Sequence, residues 1–484
     1  MGLFSSDARQ FKFDILREVS EETFNGELSD ENIFEYVKKL IPGTKANYRC
    51  CVYKEREVLR QRARLAMGKM ANDEPSYDSK KVVQVIEAAC DGCTIMKIQI
   101  TDNCRKCMAK PCLSACKFGA IHMGRDRAVI DYEKCKECGL CVKVCPFSAI
   151  ITTERPCYAA CPVNAIGFDE NGIAVIDYDK CINCAQCQIA CPFGAVEDIS
   201  WVVPVIQLIK MDVPMYAIIA PAIQGQFESA TLPQIKKGIE MLGFKGVYEA
   251  AIGADAVAYE EETELLEHIK AGKPLTTSCC PAFVNMAKLH FPTVYENNVS
   301  TLLSPMMALA KKLKHDHPEA GIVFIGPCVA KKQEATESFS SVDFVLTFEE
   351  ILAMLIAKRI DPQTLEAKEE DYPSIFGRNF AQGGGVSKAV IQAAKEKGHE
   401  DFTGYYADGS FECKKQLTLI KVNKFNYNIL EGMSCPGGCI AGPATIEDPN
   451  IIKGRMAKEN LQAEKKTIEK SLEIFDFTGI NIHR

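Results

Sequence analysis

The chain has 484 residues, of which 47% are hydrophobic and 25% charged, and its formal net charge at pH 7 is −7. This length allows several domains with substantial hydrophobic cores. The acidic balance argues against nucleic acid as the main partner. The sequence contains no run of about 18 apolar residues, the length that a membrane span needs. The first residues lack the basic start and apolar core of a secretory signal. A cytoplasmic location is therefore expected, with no membrane partner.

Cysteine is the most informative residue type. The chain has 24 cysteines, 18 of them in residues 1–191 and six in residues 192–484. Thiols stay reduced in a chain without an export signal, so such a density favours metal centres over disulfides.

Residues 1–85 are predicted to form a helical N-terminal region. The segments FKFDILREV, ENIFEYVKKL and YKEREVLRQRARLAMGK place apolar residues at helical spacing. Cys50 and Cys51 stand at the start of the third segment without a partner cysteine nearby. They are interpreted as buried structural thiols.

Residues 86–150 and 151–198 are predicted to form a pair of ferredoxin-like (α+β) iron–sulfur modules. The segment AVIDYEKCKECGLCVKVCPFSAI at 128–150 returns as AVIDYDKCINCAQCQIACPFGAV at 174–196, which is an internal repeat. Each copy contains a full CxxCxxCxxxCP run, in which three cysteines bind one [4Fe–4S] cluster and the fourth binds the neighbouring cluster. Zinc also uses CxxC pairs and is the alternative, but two full runs are far more specific.

This crossing of ligands predicts three accessory clusters and suggests a fourth. The three predicted ligand sets are Cys104, Cys107, Cys112 and Cys145; Cys116, Cys135, Cys138 and Cys141; and Cys161, Cys181, Cys184 and Cys187. A fourth cluster bound by Cys157 and Cys191 would still lack two ligands. The unassigned pair Cys90 and Cys93 could complete this set. The alternative is a small zinc knuckle or free thiols at Cys90 and Cys93.

Residues 199–448 are predicted to form an α/β catalytic domain, followed by a helical tail at 449–484. Apolar runs such as MYAIIAPAI and GIVFIGPC are typical of buried strands, and they alternate with helical stretches such as PMMALAKKLKHDH. Sites form at strand ends in such domains. Three loops there contain cysteine: TSCCPAF at 277–283, GPCVAKKQE at 326–334 and EGMSCPGGC at 431–439.

These loops alone suggest one further iron–sulfur cluster. Its four ligands would be Cys280, Cys328, Cys435 and Cys439. Glycines at 437 and 438 would let the backbone approach a bulky inorganic group. Cys279 would be spare, and Lys331 would offer a cation.

The three loops, in this order and after ferredoxin repeats, resemble the signature loops of the [FeFe]-hydrogenases. The similarity extends through APAIQ, GADAVAYEEETELL and FAQGGGV and covers about residues 200–445. The resemblance implies an H-cluster, in which a [4Fe–4S] cluster is joined through one thiolate to a two-iron unit that carries CO, cyanide and azadithiolate. Cys280, Cys328 and Cys435 would hold the cubane, and Cys439 would hold it and bridge to the two-iron unit. Lys331 would donate a hydrogen bond to a cyanide, and the pocket would be lined by Pro221, Ala222, Phe380 and Met433.

The resemblance also implies the activity, which is the reversible conversion of two protons and two electrons to H₂. Soluble ferredoxin would exchange the electrons, and hydrogenase maturation proteins would supply the cofactor. Protons would pass along Cys279, Glu261, Ser300 and Glu264. Glu261 and Glu264 lie three residues apart and share a helix face, although the sequence EEETE alone is typical of a solvated acidic helix start.

Three departures from the family pattern point to a less-studied branch. Ala282-Phe283 stands where Gly-Trp is common. Gly326 replaces a methionine, which is expected to open space near the two-iron unit. His268 stands where the proton relay often ends in arginine. A regulatory H₂ sensor with low turnover and a hydrogenase-like iron–sulfur assembly protein without the two-iron unit are the alternative functions.

Overall fold

The computed structural model describes residues 4, 6–29, 31–72, 78–90, 93, 96–368, 373–399, 402–462 and 466–484. Its N-terminal region contains the three helices that the sequence predicts: α1 (Asp7–Asn25), α2 (Ile33–Leu40) and α3 (Val52–Ala66). The apolar face of α1 is buried, including Phe13, Leu16 and Val19. Cys51 precedes the first residue of α3.

The prediction for the first cysteine pair is wrong. Cys50 and Cys51 are both exposed, with their Sγ atoms 4.0 Å apart. The segment before α3 runs along the surface, so the apolar spacing that buries the helix does not extend to these thiols.

The iron–sulfur region consists of short strands and single helical turns. The strands are β1 (Val83–Val85), β2 (Ile98–Ile100), β3 (Ile121–Met123), β4 (Ala128–Ile130), β5 (Ile150–Thr152), β6 (Ile166–Phe168), β7 (Ala174–Ile176) and β8 (Val196–Asp198). The helices are α4 (Pro111–Ala115), α5 (Leu140–Val144), α6 (Pro156–Ala159) and α7 (Gln186–Ala190).

The strand pairing shows that one module is inserted into the other. In the first module β2 pairs with β5 and β3 pairs with β4, all antiparallel. In the second module β6 pairs with β7, but the partner of β8 is β1, which precedes the whole first module. The second module is thus built from two separate stretches of chain. The sequence predicts that the first module begins at residue 86 and the second at residue 151, whereas β1, which pairs with β8, lies at 83–85.

The second half of the chain is an α/β domain. Its strands are β9 (Met215–Ile219), β10 (Gly246–Glu249), β11 (Leu275–Thr276), β12 (Gly321–Gly326), β13 (Phe344–Thr347), β14 (Gly404–Asp408) and β15 (Ile429–Met433). Its helices are α8 (Val202–Lys210), α9 (Leu232–Met241), α10 (Ala250–Lys270), α11 (Pro281–His290), α12 (Pro292–Asn298), α13 (Pro305–Asp316), α14 (Ala330–Glu334), α15 (Phe348–Ala357), α16 (Ile375–Arg378), α17 (Gly385–Glu396) and α18 (Ser410–Lys421).

Two parallel sheets organise this domain. One has the order β10-β9-β12-β13 and the other the order β11-β15-β14. β9 and β12 are buried along most of their length, which confirms the strands predicted from their apolar runs. The three cysteine loops follow β11, β12 and β15, so all three leave the carboxyl ends of parallel strands, where sites form in open α/β sheets.

The tail is only partly helical. It contains α19 (Pro449–Gln462) and α20 (Ile468–Ile474), after which an extended segment continues. His483 forms an isolated antiparallel bridge with Leu302, and the buried Ile482 packs into the domain core. None of the helices in the described ranges is long and apolar enough to cross a membrane.

A buried ion cluster joins the three parts of the chain. Asp198, in β8, accepts hydrogen bonds from Lys12 of α1 (2.8 Å) and from Lys332 of α14 (2.7 Å). Lys12 also pairs with Glu349 at 3.0 Å, and Lys332 pairs with Glu350 at 3.0 Å. Burial alone would raise the pKa of Asp198, but the two lysines outweigh it and hold that pKa well below its usual range.

We expect Lys332→Met to lower the free energy of unfolding by about 3–5 kcal/mol, because it leaves Asp198 and Glu350 buried with one cation fewer. Anaerobic denaturant titration would show this as a lower midpoint. The matched control is Lys237→Met, which removes an exposed pair with Glu240 and should cost less than about 1 kcal/mol. Equal midpoints for the two variants would contradict a supporting role for the buried cluster.

Candidate metal centre and proton relay

An apolar cavity of about 90 Å³ lies where the three cysteine loops meet. All four of the predicted cluster cysteines line it, together with the spare thiol: Cys279, Cys280, Cys328, Cys435 and Cys439. Pro221, Phe380 and Met433 line it too, as the resemblance implies, whereas Ala222 is buried beside Pro221 but is not among the lining residues.

The thiols of this cavity are desolvated and close enough to influence one another. Burial raises the pKa of Cys328 to about 12, and Cys280 raises it further while Lys331 lowers it. Burial also raises the pKa of Cys435 and of Cys439 well above the usual range, with further contributions from Cys328 and Cys280. Four thiols in one dry pocket ionise only if a positively charged group binds them, and iron–sulfur clusters are held by thiolates.

The backbone around Cys439 is shaped for a close approach. Gly438 has a φ of +93°, and a Cβ there would lie 2.7 Å from both the Ala381 carbonyl oxygen and the Gly383 nitrogen. No side chain could be accommodated at this position. Among the described residues, no three Cys, His, Asp or Glu side chains approach closely enough to hold a single metal ion. A [4Fe–4S] cluster does not need such an approach, because each thiolate binds a different iron. The four cysteines and the apolar lining therefore fit the cofactor that the resemblance implies, whereas Gly438 is required for packing against residues 381–383.

Lys331 lines the cavity, and its ammonium group is fixed by hydrogen bonds to neighbouring residues. Its Nζ atom donates to Glu334 at 2.5 Å, to the Ser304 hydroxyl at 2.9 Å and to the Cys279 carbonyl at 3.4 Å. Burial lowers the pKa of Lys331, but Glu334 and the neighbouring thiols outweigh that effect and raise it. Lys331 is therefore positioned as a cation at the cavity wall.

The space expected from Gly326 is not open. A Cβ at Gly326 would lie 2.5 Å from the Phe324 ring and 3.2 Å from Ala220. Phe324 precedes Gly326 by two residues, so both face the same side of β12. Its ring lines the cavity and occupies the volume that a larger side chain at 326 would fill.

A buried carboxyl lies behind Cys279. Glu261 is 1% exposed, and among the described residues its carboxyl oxygens make no hydrogen bond of normal geometry, although the Ser300 hydroxyl and the Ser278 N–H face them. Its pKa is raised to about 8, chiefly by burial and also by Glu264, while the Ser300 hydroxyl and the Ser278 N–H lower it in part. Glu261 lies in the middle of α10, so the segment EEETE is neither a helix start nor fully solvated.

Glu264 continues this path to the surface through a contact that the sequence does not predict. It accepts hydrogen bonds from the Thr301 backbone N–H, at 3.1 and 3.2 Å, and from the Thr301 hydroxyl. The Nδ1 atom of His483 lies 2.8 Å from that hydroxyl and 3.7 Å from Glu264. His268, which the sequence places at the end of the relay, instead directs its Nδ1 atom at the Pro274 carbonyl, 3.3 Å away. No local pattern marks His483, because the contact joins residues far apart in the chain.

The two iron–sulfur modules have matching cysteine environments. The Ala128 N–H contacts the Cys104 sulfur at 3.5 Å, and the Ala174 N–H, at the equivalent position of the repeat, contacts the Cys90 sulfur at 3.4 Å. Burial raises the pKa of Cys157 to about 11, with further contributions from Cys191, Cys90 and Cys93. The structure therefore brings these four cysteines together.

The second module meets the cavity. Burial raises the pKa of Cys184 to about 12, and among the thiols that raise it further are those of its own module and Cys280 of the cavity. Cys184 likewise raises the pKa of Cys435. Cys187 and Cys157 interact in the same way within the module. The cysteines thus form a continuous series from the cavity into the second module.

We expect Gly326→Ala to lower the free energy of unfolding by about 1–3 kcal/mol, because the new methyl group overlaps the Phe324 ring. Denaturant titration would measure the change, and Phe324→Leu in the same chain should recover part of it. Gly454→Ala, at a helical position with nothing within 4 Å of the added Cβ, is the control and should be neutral or slightly stabilising. No loss for Gly326→Ala would show that Phe324 does not fill this space.

Three parts of the chain match described families. Residues 213–443 match the family described as iron only hydrogenase large subunit, C-terminal domain. Residues 155–195 match a 4Fe-4S dicluster domain, and residues 128–151 match a 4Fe-4S binding domain.

Curated relatives include hydrogenases and proteins of another kind. Iron hydrogenase 1 of Clostridium pasteurianum is 28% identical over 295 residues, which is 50% of this chain and 51% of that protein. The periplasmic [Fe] hydrogenase large subunit of Nitratidesulfovibrio vulgaris is 28% identical over 278 residues, 46% of this chain and 65% of that protein. A probable cytosolic Fe-S cluster assembly factor of Culex quinquefasciatus is 24% identical over 297 residues, 50% of this chain and 61% of that protein.

The chain thus spans about half to two thirds of the length of these relatives. A solved [FeFe]-hydrogenase structure, from work on oxygen inactivation of the H cluster, shares the fold with a TM-score of 0.50 at 18% identity. The match covers 59% of this chain and 95% of that one. Residues 213–443 thus form an iron-only hydrogenase domain of the [FeFe]-hydrogenase family, and 4Fe-4S domains precede it.

Proposed function

We propose that this protein is a [FeFe]-hydrogenase that interconverts protons and H₂ at an H-cluster. The observation that carries the proposal is that one cavity combines four cluster cysteines with a spare thiol, Cys279, backed by the buried carboxyl of Glu261. A protein that only stores or transfers iron–sulfur clusters needs the four cysteines. It has no use for a proton path from the cavity to the surface.

The residues of the cavity divide the tasks. When bound, the two-iron unit supplies the heterolytic cleavage and formation of H₂. Cys439 would hold both parts of the cofactor. The ammonium of Lys331 would exchange its long contact with the Cys279 carbonyl for a hydrogen bond to one of the anionic ligands. Met433, Phe380 and Pro221 exclude water from the cavity, which strengthens every electrostatic interaction inside it.

Cys279 and Glu261 handle the protons. Burial raises the pKa of Cys279 well above its usual range, and the surrounding thiols and carboxyls raise it further, so the thiol keeps its proton until a stronger base takes it. Glu261, with a pKa of about 8, exchanges protons near neutral pH. The path Cys279, Glu261, Ser300 and Glu264 therefore has groups of suitable type in sequence.

We further propose four accessory [4Fe–4S] clusters. The fourth ligand set is Cys90, Cys93, Cys157 and Cys191, and it is supported by the equivalent contacts of Cys90 and Cys104 and by the pairing of β1 with β8. Electrons would pass from the cavity to the set around Cys184 and then, through the Cys187 and Cys157 neighbourhood, to this fourth cluster. Soluble ferredoxin is the proposed electron partner, maturation proteins would supply the two-iron unit, and the cytoplasm is the proposed location.

The similarity to iron–sulfur assembly factors makes a scaffold role the second candidate. Loading the purified protein with a synthetic two-iron unit separates the two. A hydrogenase should then show infrared bands of CO and cyanide and should evolve H₂ from a reduced viologen dye. Absence of the bands would favour the scaffold, and bands with very low turnover would favour a sensor.

We expect Glu261→Gln to reduce H₂ evolution by roughly 10²–10⁴-fold, the usual contribution of a buried acid–base group. In the unaltered protein the rate should fall as the pH rises above about 8, because the carboxyl of Glu261 is protonated below that value and ionised above it. The groups that face it are Glu264, Ser300, Glu431 and the Ser278 N–H. Rates against pH, normalised to the infrared bands, would measure both effects.

The control for this experiment is Glu262→Gln. Glu262 is equally buried but pairs with Lys397 and lies near His399, so its variant should keep most of the activity. Equal losses for the two variants would argue against a specific relay through Glu261.

We expect Cys90→Ala to lower the iron content by about one cluster, four irons per chain, because the remaining three ligands would not retain a cubane. Iron and sulfide analysis of the reconstituted protein would measure it. Cys50→Ala removes an exposed thiol outside every proposed ligand set and should leave the content unchanged. An unchanged value for Cys90→Ala would reduce the number of accessory clusters to three.

A further inference from the structure

The extended segment 480–484 lies against the outer end of the relay and is fixed there by backbone pairing. The Leu303 N–H donates to the Ile482 carbonyl at 2.8 Å, and the Arg484 N–H donates to the Thr301 carbonyl at 3.0 Å. Ile482 is 4% exposed and packs into the domain core. His483, between these two anchored residues, is therefore held beside Thr301, the residue that follows Ser300.

The hydrogen bonds at this position have a defined direction. The Thr301 hydroxyl donates its single hydrogen to Glu264, so it can only accept from the His483 Nδ1 atom at 2.8 Å. With this direction, His483 carries its hydrogen on Nδ1. The resulting order is imidazole N–H to hydroxyl, and hydroxyl O–H to carboxylate, which is a continuous wire for a proton.

Exposure increases along this wire. The side chain of Glu264 is 13% exposed and that of His483 is 47% exposed. The imidazole thus lies between bulk water and a carboxylate that is largely shielded. Imidazole is also the side chain suited to accepting a proton on one ring nitrogen while releasing one from the other.

We propose that His483, acting through the Thr301 hydroxyl, is the group that exchanges relay protons with solvent. One transfer moves a proton from water to the second ring nitrogen, the Nδ1 proton to the Thr301 oxygen, and the hydroxyl proton to Glu264. The ring then exchanges its remaining proton through water to restore the Nδ1–H form. The net result is one proton carried from solvent to Glu264, and H₂ uptake uses the reverse order.

His268 is not placed to exchange protons with Glu264 in the structure. It lies one turn beyond Glu264 on α10, but its Nδ1 atom faces the Pro274 carbonyl. The nearby charged side chain of Arg484 is directed at the Leu302 carbonyl, 3.2 Å from its Nε atom. The only imidazole that contacts the Glu264–Thr301 pair among the described residues is that of His483.

The first test uses the loaded holoenzyme, because the role of His483 rests on the proposed function. His483→Gln should reduce H₂ evolution about tenfold, less than the loss for a buried acid–base group because water can reach Thr301 directly. The infrared bands should not change, and added imidazole should restore the rate. Thr301→Val removes the hydroxyl between His483 and Glu264, so added imidazole should not restore the rate of that variant. His315→Gln, at an exposed histidine paired only with Asp316, is the control and should have no effect.

The second test does not depend on activity. Nitrogen-15 spectra of the intact, histidine-labelled chain at pH 8 should show His483 as the Nδ1–H tautomer, identified by the signal lost in His483→Gln. Thr301→Val should shift that signal. An Nε2–H tautomer that is indifferent to Thr301→Val would overturn the proposal, as would full activity of His483→Gln without imidazole in an enzyme that evolves H₂. If the unaltered loaded protein evolves no H₂, the proposed function fails, and the tautomer alone decides whether the wire exists.

Discussion

The buried ion cluster around Asp198 sets the relative positions of everything else. Asp198 ends the last strand of the second iron–sulfur module, Lys12 comes from the N-terminal helix, and Lys332 comes from the loop that also provides Cys328. Charged groups removed from water must be paired with good geometry, so these three elements can pack in few alternative ways. Lys331 and Lys332 are adjacent in the chain but contact different parts of the structure. Lys331 faces the cavity, and Lys332 anchors the module that would deliver electrons to it.

This arrangement explains why one module is inserted into the other. The second module must present Cys184 to the cavity and Asp198 to α14, so its last strand has to lead directly into the α/β domain. The first strand of the second module, β1, precedes the first module in the chain and pairs with β8. The first module is therefore an insertion between β1 and the rest of the second module. The second module is thus tied to the α/β domain both at Cys184 and at Asp198.

Much of the site could be predicted from sequence because its ligands occur in short motifs. The spacing of the cysteines predicts their sets, and the incomplete motif at Cys157 and Cys191 predicts Cys90 and Cys93 as the missing pair. The structure brings these four cysteines together. Features that depend on long-range packing could not be predicted. The exposure of Cys50 and Cys51 depends on the path of a loop, the space beside Gly326 is taken by Phe324, and His483 reaches Glu264 only through tertiary structure. Local composition contains no information about such contacts.

The paired cysteines of TSCCPAF show how the cavity can separate two charge carriers. Successive side chains in extended chain point to opposite sides. Cys280 influences Cys328, Cys435 and, across the module boundary, Cys184. Cys279 is influenced by Cys280 and Cys439 and also by the carboxyl groups of Glu431 and Glu261. Electrons leaving through Cys280 and protons leaving through Cys279 would therefore diverge at one peptide bond. The proton side needs titratable groups at hydrogen-bond distances, and the electron side needs only short gaps between clusters. The acidic face of α10 and the cysteine series of the second module, on which the proposed proton and electron paths depend, lie on different elements of the fold.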